Sequence, residues 1–508
     1  MLFNSYQFIF GFLPVVCALY FLAARLGGAT GGMVVLVGAS LFFYGWWDWR
    51  YVWILLLSIG CNAAFAVALI RGHGRQRLRL LVVGLGFNLL LLGYFKYASF
   101  LALNVGSVFG LDWQVEPLPL PLGISFFTFQ KIAFLVDAYV GGVTSFSILN
   151  YCLFVTFFPQ LIAGPLVRHN EIIPQFRSLP TRPRAGDFAV GSGIFSIGLF
   201  KKVCLADPCA AWVNPVFSAA ASGAPIGFAE AWIAALAYSF QLYFDFSGYS
   251  DMAVGLARLF GIVLPINFFS PYKAGNIIEF WRRWNITLSR FLRDFLYIPL
   301  GGNRCGVPRR YLNLLVTMLL GGLWHGASWT FVLWGGLHGL MLAVNHAWHA
   351  LRRRAGLPIG NDPRAVRATA CAFTFIMVTS AWVLFRAPSF AAAGTMLATM
   401  YGVGGTEIAG PLSTYWSTEW DRFIDLRWSE SGVIWLLIVG SIAFILPNTY
   451  QLFENFRPAL VERSFDDSAS KPRLRWNPDW KWAVCLSLML LVAILRIGEL
   501  SPFIYFQF

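Results

Sequence analysis

The sequence predicts an all-α polytopic membrane protein: one helical domain, residues 1–508, with about 11 to 13 transmembrane helices. Re-entrant and amphipathic cytoplasmic segments complete it. Three observations predict this. Of 508 residues, 58% are hydrophobic and 12% charged, and that charged share is about half of what a soluble domain carries. Apolar runs recur from one end to the other. The basic residues behind the net charge of +14 sit in short connectors between those runs. That placement follows the positive-inside pattern and not a nucleic-acid-binding face, so lipid is the expected partner and nucleic acid is not.

Taken in order, the apolar segments are residues 7–26, 33–47, 52–70, 80–101, 149–163, 190–205, 232–246, 312–323, 331–348, 368–385, 433–446 and 482–497. The first, MLFNSYQFIF and onward, lacks a basic leader and a small-residue cleavage site, so it reads as a retained helix and not a signal peptide. Arg71, Arg75, Arg77 and Arg79 form one basic connector. Arg168, Arg177, Arg182 and Arg184 lie in a second, residues 273–310 are a third, and Arg352, Arg353, Arg354, Arg364 and Arg367 make a fourth. All four are expected on the cytoplasmic side of the membrane, with the N-terminus outside. The loop 406–431 carries Glu407, Glu419, Asp421, Asp425 and Glu430 and is expected on the opposite side. Simple alternation fails between Leu101 and Arg168, so one segment there reads as re-entrant. Residues 454–479 read as a polar surface connector. The 8 cysteines show no CxxC, which argues against both a disulfide framework and a zinc knuckle.

Polar residues inside apolar sequence are costly and tend to mark function. In the stretch from Pro121 to Tyr139, Gln130, Lys131 and Asp137 interrupt an aromatic run. They can bond neighbouring helices or wall a polar cavity. Lys131 and Asp137 are spaced so that they fall on opposite helix faces and do not pair locally. From Phe158 to His169, Pro159, Gly164 and Pro165 break a helix and free backbone groups for a ligand, while Arg168 and His169 read equally well as a surface pair. From Gln241 to Asp251, Tyr243, Asp245, Ser247, Tyr249, Ser250 and Asp251 form either an interhelical network or a cavity lining. From Glu279 to Asp294, the apolar row Phe280, Trp284, Leu288, Phe291 and Phe295 recurs at helical spacing with arginines on another face. That is the pattern of an interfacial amphipathic helix. Its arginines can meet lipid headgroups or the phosphates of a cytoplasmic substrate.

The sharpest signal is the run from Gly321 to Gly339. His325 stands in an apolar stretch among Trp324, Trp329 and Trp334, with no charged neighbour in sequence. A neutral imidazole there suits a general base near neutral pH, although a membrane histidine can also be a plain helix contact. A metal reading is weaker. His325 and His338 do not share a face of one helix, and His346 and His349, which can, bring no third ligand and sit beside Arg352–Arg354 as snorkelling residues would. No HExxH, P-loop, GxGxxG or GxSxG occurs, so metalloprotease, ATPase, dinucleotide and α/β-hydrolase chemistry have no motif support.

PLGISFFTFQ, FPQLIAGP, YFDFSGYSDMA, FWRRWNITLSRFLRDFLYIPLGGNR and LWHGASWTFVLWGGLHG occur in this order from about Pro121 to Phe385, residues 121–385. Together they resemble the membrane-bound O-acyltransferases, and among them the bacterial polysaccharide O-acetyltransferases of the alginate type. The resemblance implies that His325, in the WHG motif, is catalytic. It implies a second marked position at Asn285, which is histidine in some members and asparagine in others. Asparagine there can orient a substrate but cannot exchange a proton, which puts a two-histidine mechanism in doubt. The resemblance further implies a central tunnel, acetyl-CoA as acyl donor with no tightly bound cofactor and no metal, a polysaccharide acceptor, and a periplasmic acetyltransferase partner. Candidate substrate-binding residues are Trp281, Arg282, Arg283, Arg290 and Arg293 in the arginine-rich segment, Trp324 and Trp329 beside the histidine, and Asp245, Ser247 and Gln130. A conduit without chemistry of its own, and acceptors such as peptidoglycan, lipid or teichoic acid, are the rival readings.

Overall fold

The computed structural model describes the chain apart from residues 112, 114–115, 117, 358–359, 361, 404–430, 461–473, 499–502 and 505–508. The acidic loop therefore lies outside the described residues, as does the middle of the polar connector. Each of the twelve apolar segments falls on helix, and among the described residues there is no β-strand, only one bridge between Pro265 and Leu460. The protein is an all-helical polytopic membrane protein.

Among the described residues, five helical stretches are long and apolar enough to cross a bilayer: Gln7–Gly45 (α1), Arg50–Arg71 (α2), Arg75–Phe109 (α3), Ala185–Ser222 and Arg364–Arg386. The first holds both of its predicted segments. Its backbone leaves the helical region at Gly27 and Gly28, with φ +63° at Gly28, a conformation open to glycine. The chain folds back there, so Phe12 stacks on Phe42 and lies 5.6 Å from Phe43.

The fold comprises two compact units interleaved along the chain. The first takes Met1–Phe200, Gly248–Ile266 and Thr449–Gln507, and the second takes Lys201–Ser247 and Asn267–Asn448. The chain passes between them inside helical stretches, at Phe200 and again at Ser247.

In the first unit, polar side chains settle one another across helices. Asn62 and Asn88 exchange amide hydrogen bonds at 2.7 and 3.1 Å. Ile124–Tyr139 (α4) carries the predicted polar cluster. Its Lys131 donates to Ser58 Oγ at 2.8 Å and stands 4.2 Å from the centre of the Phe127 ring. Asp137 faces Nδ1 of His169 at 3.0 Å, so His169 pairs with α4 across the fold, both side chains being half-buried. Gln130, on the same helix, is buried. Ile148–Thr156 (α5) ends before Pro159, as the prolines predict. The break does not stay open: Gln160 Nε2 donates to the Phe154 carbonyl at 2.7 Å, and Ser40 Oγ accepts from the Phe158 amide at 3.0 Å. Two of the backbone groups expected to be available to a ligand, the Phe154 carbonyl and the Phe158 amide, are thus satisfied within the fold.

In the second unit, Phe228–Leu259 (α6) begins a set of helices that ends with Gly432–Phe444. Between them, the stretch expected as one amphipathic helix is two short ones, Ile277–Arg283 (α7) and Ile286–Leu292 (α8). Asn285 separates them in the left-handed region, φ +42° and ψ +53°. Phe280, Trp284 and Leu288 of its apolar row are core residues, while Phe291 and Phe295 are half-buried. Val307–His325 (α9) and Trp329–Arg354 (α10) then form a tight hairpin. A Cβ on Gly322 or Gly335 would strike the carbonyl of Phe331 or of Met318, so glycine is needed for the backbones to come this close. Arg364–Arg386 (α11) packs beside α10.

Candidate functional site

His325 is the last residue of α9. Three sequence features put it there. Gly326 is extended, φ −159° and ψ +150°, and ends the helix. A Cβ on Gly326 would clash with the Phe331 ring, so the turn lies under that ring. Ser328 then caps α10, its Oγ accepting from the Thr330 amide at 3.3 Å, a common use of serine at a helix start. The turn thus fixes the histidine at the helix end.

The imidazole is 6% exposed and is ringed by aromatic side chains. Trp324 lies 5.0 Å away between ring centres, Trp334 5.2 Å and Phe385 5.2 Å, the last two meeting it edge to face. Trp382 stacks on Trp334 at 5.4 Å and touches Phe385 at 5.3 Å. Trp382 and Phe385 are three apart on α11, so one face of that helix supplies both. They were not read from the sequence, although their spacing was a usable signal.

The wall continues to His338, which is fully buried. Trp281 Nε1 donates to His338 Nδ1 at 3.3 Å, and the His338 ring lies 4.8 Å from Trp334. Trp281, predicted to bind substrate, thus holds a histidine.

Asn285 is 2% exposed, and its Nδ2 is buried with no hydrogen-bond partner among the described residues. It couples a rarely adopted backbone conformation with an unmet amide donor, a pairing found where strain serves a site. Neighbouring backbone holds it in place. Ile286 N donates to the Asn267 carbonyl at 3.0 Å, and Thr287 Oγ1 donates to Asn267 Oδ1 at 2.6 Å. Trp284, just before it, packs on Trp382 at 5.0 Å, which ties the Asn285 break to the aromatic wall.

The arginines divide. Arg283 is buried, and its guanidinium binds Glu279 at 2.6 Å. Arg293 is exposed and pairs with Asp294 at 2.7 Å. Arg290 is half-buried and Arg282 exposed. Arg282 from α7, Arg310 from the start of α9 and Arg353 from the end of α10 all bear electrostatically on His346. Basic groups distant in sequence therefore gather at one end of α10, as binding of a phosphorylated group requires.

Asp245 and Ser247, on α6, are buried. Asp245 meets Lys202 Nζ at 2.7 Å, and the same ammonium meets Asp207 at 2.6 Å. Lys202 is a partner that the sequence reading did not assign. Ser247 Oγ is buried without a hydrogen-bond partner among the described residues. Trp329 is 53% exposed at the start of α10. Among the described residues no three His, Cys, Asp or Glu side chains gather as metal ligands.

An aromatic chamber around a helix-terminal histidine, with a strained asparagine tied to its wall and a basic cluster at the other end of the α9–α10 hairpin, suits transfer of an activated acyl group. Comparison with known proteins agrees. The sequence pattern of the MBOAT, membrane-bound O-acyltransferase family matches residues 41–391. The chain is 39% identical to a peptidoglycan O-acetyltransferase of Helicobacter pylori, over 100% of this chain and 98% of that protein. It is 36% identical to a probable alginate O-acetylase of Pseudomonas aeruginosa, over 100% of both. It is 28% identical to a teichoic acid D-alanyltransferase of Streptococcus thermophilus, over 52% of this chain and 68% of that protein. The protein belongs to the membrane-bound O-acyltransferase family and is an O-acyltransferase.

Proposed function

We propose that the protein takes an acetyl group from cytoplasmic acetyl-CoA and moves it through the inner membrane for O-acetylation of a polysaccharide outside the cell membrane, with His325 as general base. The setting of His325 carries this reading: a buried imidazole at a helix C-terminus, walled by Trp324, Trp334 and Phe385. Such a wall excludes bulk water, which would otherwise compete for a thioester. The donor's phosphates meet the basic cluster of Arg282, Arg310 and Arg353, and its acyl group enters the family's tunnel toward His325. A hydroxyl attacks the carbonyl carbon as His325 takes its proton. The C–S bond breaks, and the thiolate leaves with a proton returned from His325. The Asn285 amide steadies the donor or the developing oxyanion.

The acceptor is a hydroxyl of an exopolysaccharide or a cell-wall polysaccharide. Support comes from the two full-length relatives, named for peptidoglycan and for alginate. A periplasmic acetyltransferase that receives the acetyl group on a serine and passes it on fits the same reading.

The test uses the purified protein in nanodiscs with labelled acetyl-CoA, following free CoA and label on glycan or protein. Wild type is compared with His325→Ala, with and without the periplasmic partner. Release and transfer by wild type, lost in a folded mutant, is the expected result. A mutant as fast as wild type removes His325 as base. An inert wild type in the presence of partner and glycan shifts the reading to a conduit.

A further inference from the structure

His338 lies in the same motif run as His325, and the mechanism above does not use it. Its hydrogen bonding fixes its chemistry. Trp281 Nε1 carries a hydrogen and can only donate, so His338 Nδ1 must accept. In a neutral imidazole the proton then resides on Nε2, which becomes a donor. Four aromatic rings enclose it: Phe280 at 6.2 Å, Trp281 at 5.2 Å, Trp334 at 4.8 Å and Trp382 at 6.1 Å. None of these offers a strong acceptor, and Nε2 is buried without a partner among the described residues.

Trp334 repeats the pattern. It is 1% exposed, and its Nε1 is also buried without a partner among the described residues. Trp334 and His338 are one turn apart on α10, on one face, and Trp334 is in ring contact with His325. A buried donor without an acceptor costs about 1–3 kcal/mol. Two on one face, beside the proposed base, are a standing cost unless something bound there accepts from them.

We infer that His338 Nε2–H and Trp334 Nε1–H are hydrogen-bond donors to the acyl carbonyl oxygen of the thioester substrate. The inference rests on the acyl-transfer reading and assigns this face of α10 a part in it. A carbonyl oxygen only accepts, which matches a wall that only donates. When the hydroxyl oxygen bonds the acyl carbon and gives its proton to His325, the π pair of the carbonyl moves onto the carbonyl oxygen. The donors then strengthen as charge develops, and weaken again when the C–S bond breaks and sulfur departs with its electron pair. Trp281 is a positioning residue: it fixes the tautomer that puts the His338 proton where it is needed.

The experiment measures CoA release from acetyl-CoA in nanodiscs, with the acceptor that wild type uses, for His338→Phe, His338→Gln, Trp281→Phe and His325→Ala. His338→Phe keeps an aromatic ring and removes the donor, and kcat is expected to fall about 10²-fold or more, with KM for acetyl-CoA within about threefold. Glutamine restores an N–H near the Nε2 position and is expected to recover about tenfold of that loss. Trp281→Phe is expected to lower kcat about tenfold with KM unchanged. The inference is overturned if His338→Phe turns over like wild type, or if His338→Gln is no better than His338→Phe, as a packing role would give. An active His325→Ala sinks the acyl-transfer reading itself. An inactive His325→Ala beside a fully active His338→Phe sinks only the inference.

Discussion

The second unit buries polar side chains in two places and treats them in opposite ways. At Lys202, the protein meets every charge it buries: one ammonium lies between Asp207 and Asp245 at 2.6 and 2.7 Å. Around His325, it buries hydrogen-bond donors and leaves some unmet, namely His338 Nε2, Trp334 Nε1 and Asn285 Nδ2 among the described residues. The first arrangement holds helices together, because an unpaired buried charge is far more costly than a paired one. The second has chemical capacity to spare. A substrate can bind where the fold has not already used the donors, which is why the proposed function places the chemistry at the second cluster and not the first.

The sharpest way to break that contrast is to remove one member from each side. His325→Ala is expected to lower acyl transfer by about 10²–10⁴-fold, the usual range for a lost general base, while the thermal midpoint in detergent moves little. Lys202→Met should do the reverse. It leaves the buried Asp245 carboxylate without its cation, beside the part-exposed Asp207, and breaking a buried pair costs about 3–5 kcal/mol. Yield and melting temperature are expected to collapse, while the surviving folded fraction keeps a near-normal KM for donor. If Lys202→Met folds normally and is inactive, Asp245 and its partners belong to the site after all.

Asn285→Gly sharpens the comparison within a single residue. Glycine enters the left-handed region without the steric penalty other residues meet, so the change relieves backbone strain of up to about 1 kcal/mol. It also removes the unmet amide. The expected outcome is a protein at least as heat-stable as wild type whose kcat is lower by about 10–100-fold. Loss of stability with unchanged kcat would make Asn285 a structural residue. Pairing the kinetic and thermal measurements on one preparation decides it.

These residues also mark how far the sequence could be read. The twelve apolar segments were legible because a bilayer imposes a length and a composition that no tertiary contact can disguise. His325 was legible because an isolated imidazole in apolar sequence is conspicuous, and the run of motifs gave it a family. The break at Asn285 was not. Phe280, Trp284, Leu288, Phe291 and Phe295 keep helical spacing across it, and nothing local announces a left-handed residue in the middle. Lys202 was missed because its partner Asp245 is distant in sequence, and only the fold brings them within 2.7 Å. Gln160 shows the opposite error. Pro159 predicted the break correctly, but the glutamine beside it closes the gap that a ligand was expected to use.

The smallest expected effects lie at the arginines, where the contrast between used and unused groups recurs at the protein surface. Arg283 is committed to the part-exposed Glu279, so Arg283→Gln is expected to remove that ion pair and lower stability by about 1 kcal/mol, with little specific change in donor KM. Arg282 is exposed and shares its end of α10 with Arg310 and Arg353, so Arg282→Gln should leave the melting temperature unchanged. It is expected to raise KM for acetyl-CoA by about five- to tenfold at low salt, with kcat intact, and the difference should shrink as ionic strength rises. Dephospho-CoA thioesters, which lack one phosphate, should show a smaller penalty in the mutant than acetyl-CoA does. Equal penalties for the two donors would mean that Arg282 does not meet that phosphate, and would return it to lipid headgroups as its counter-charge.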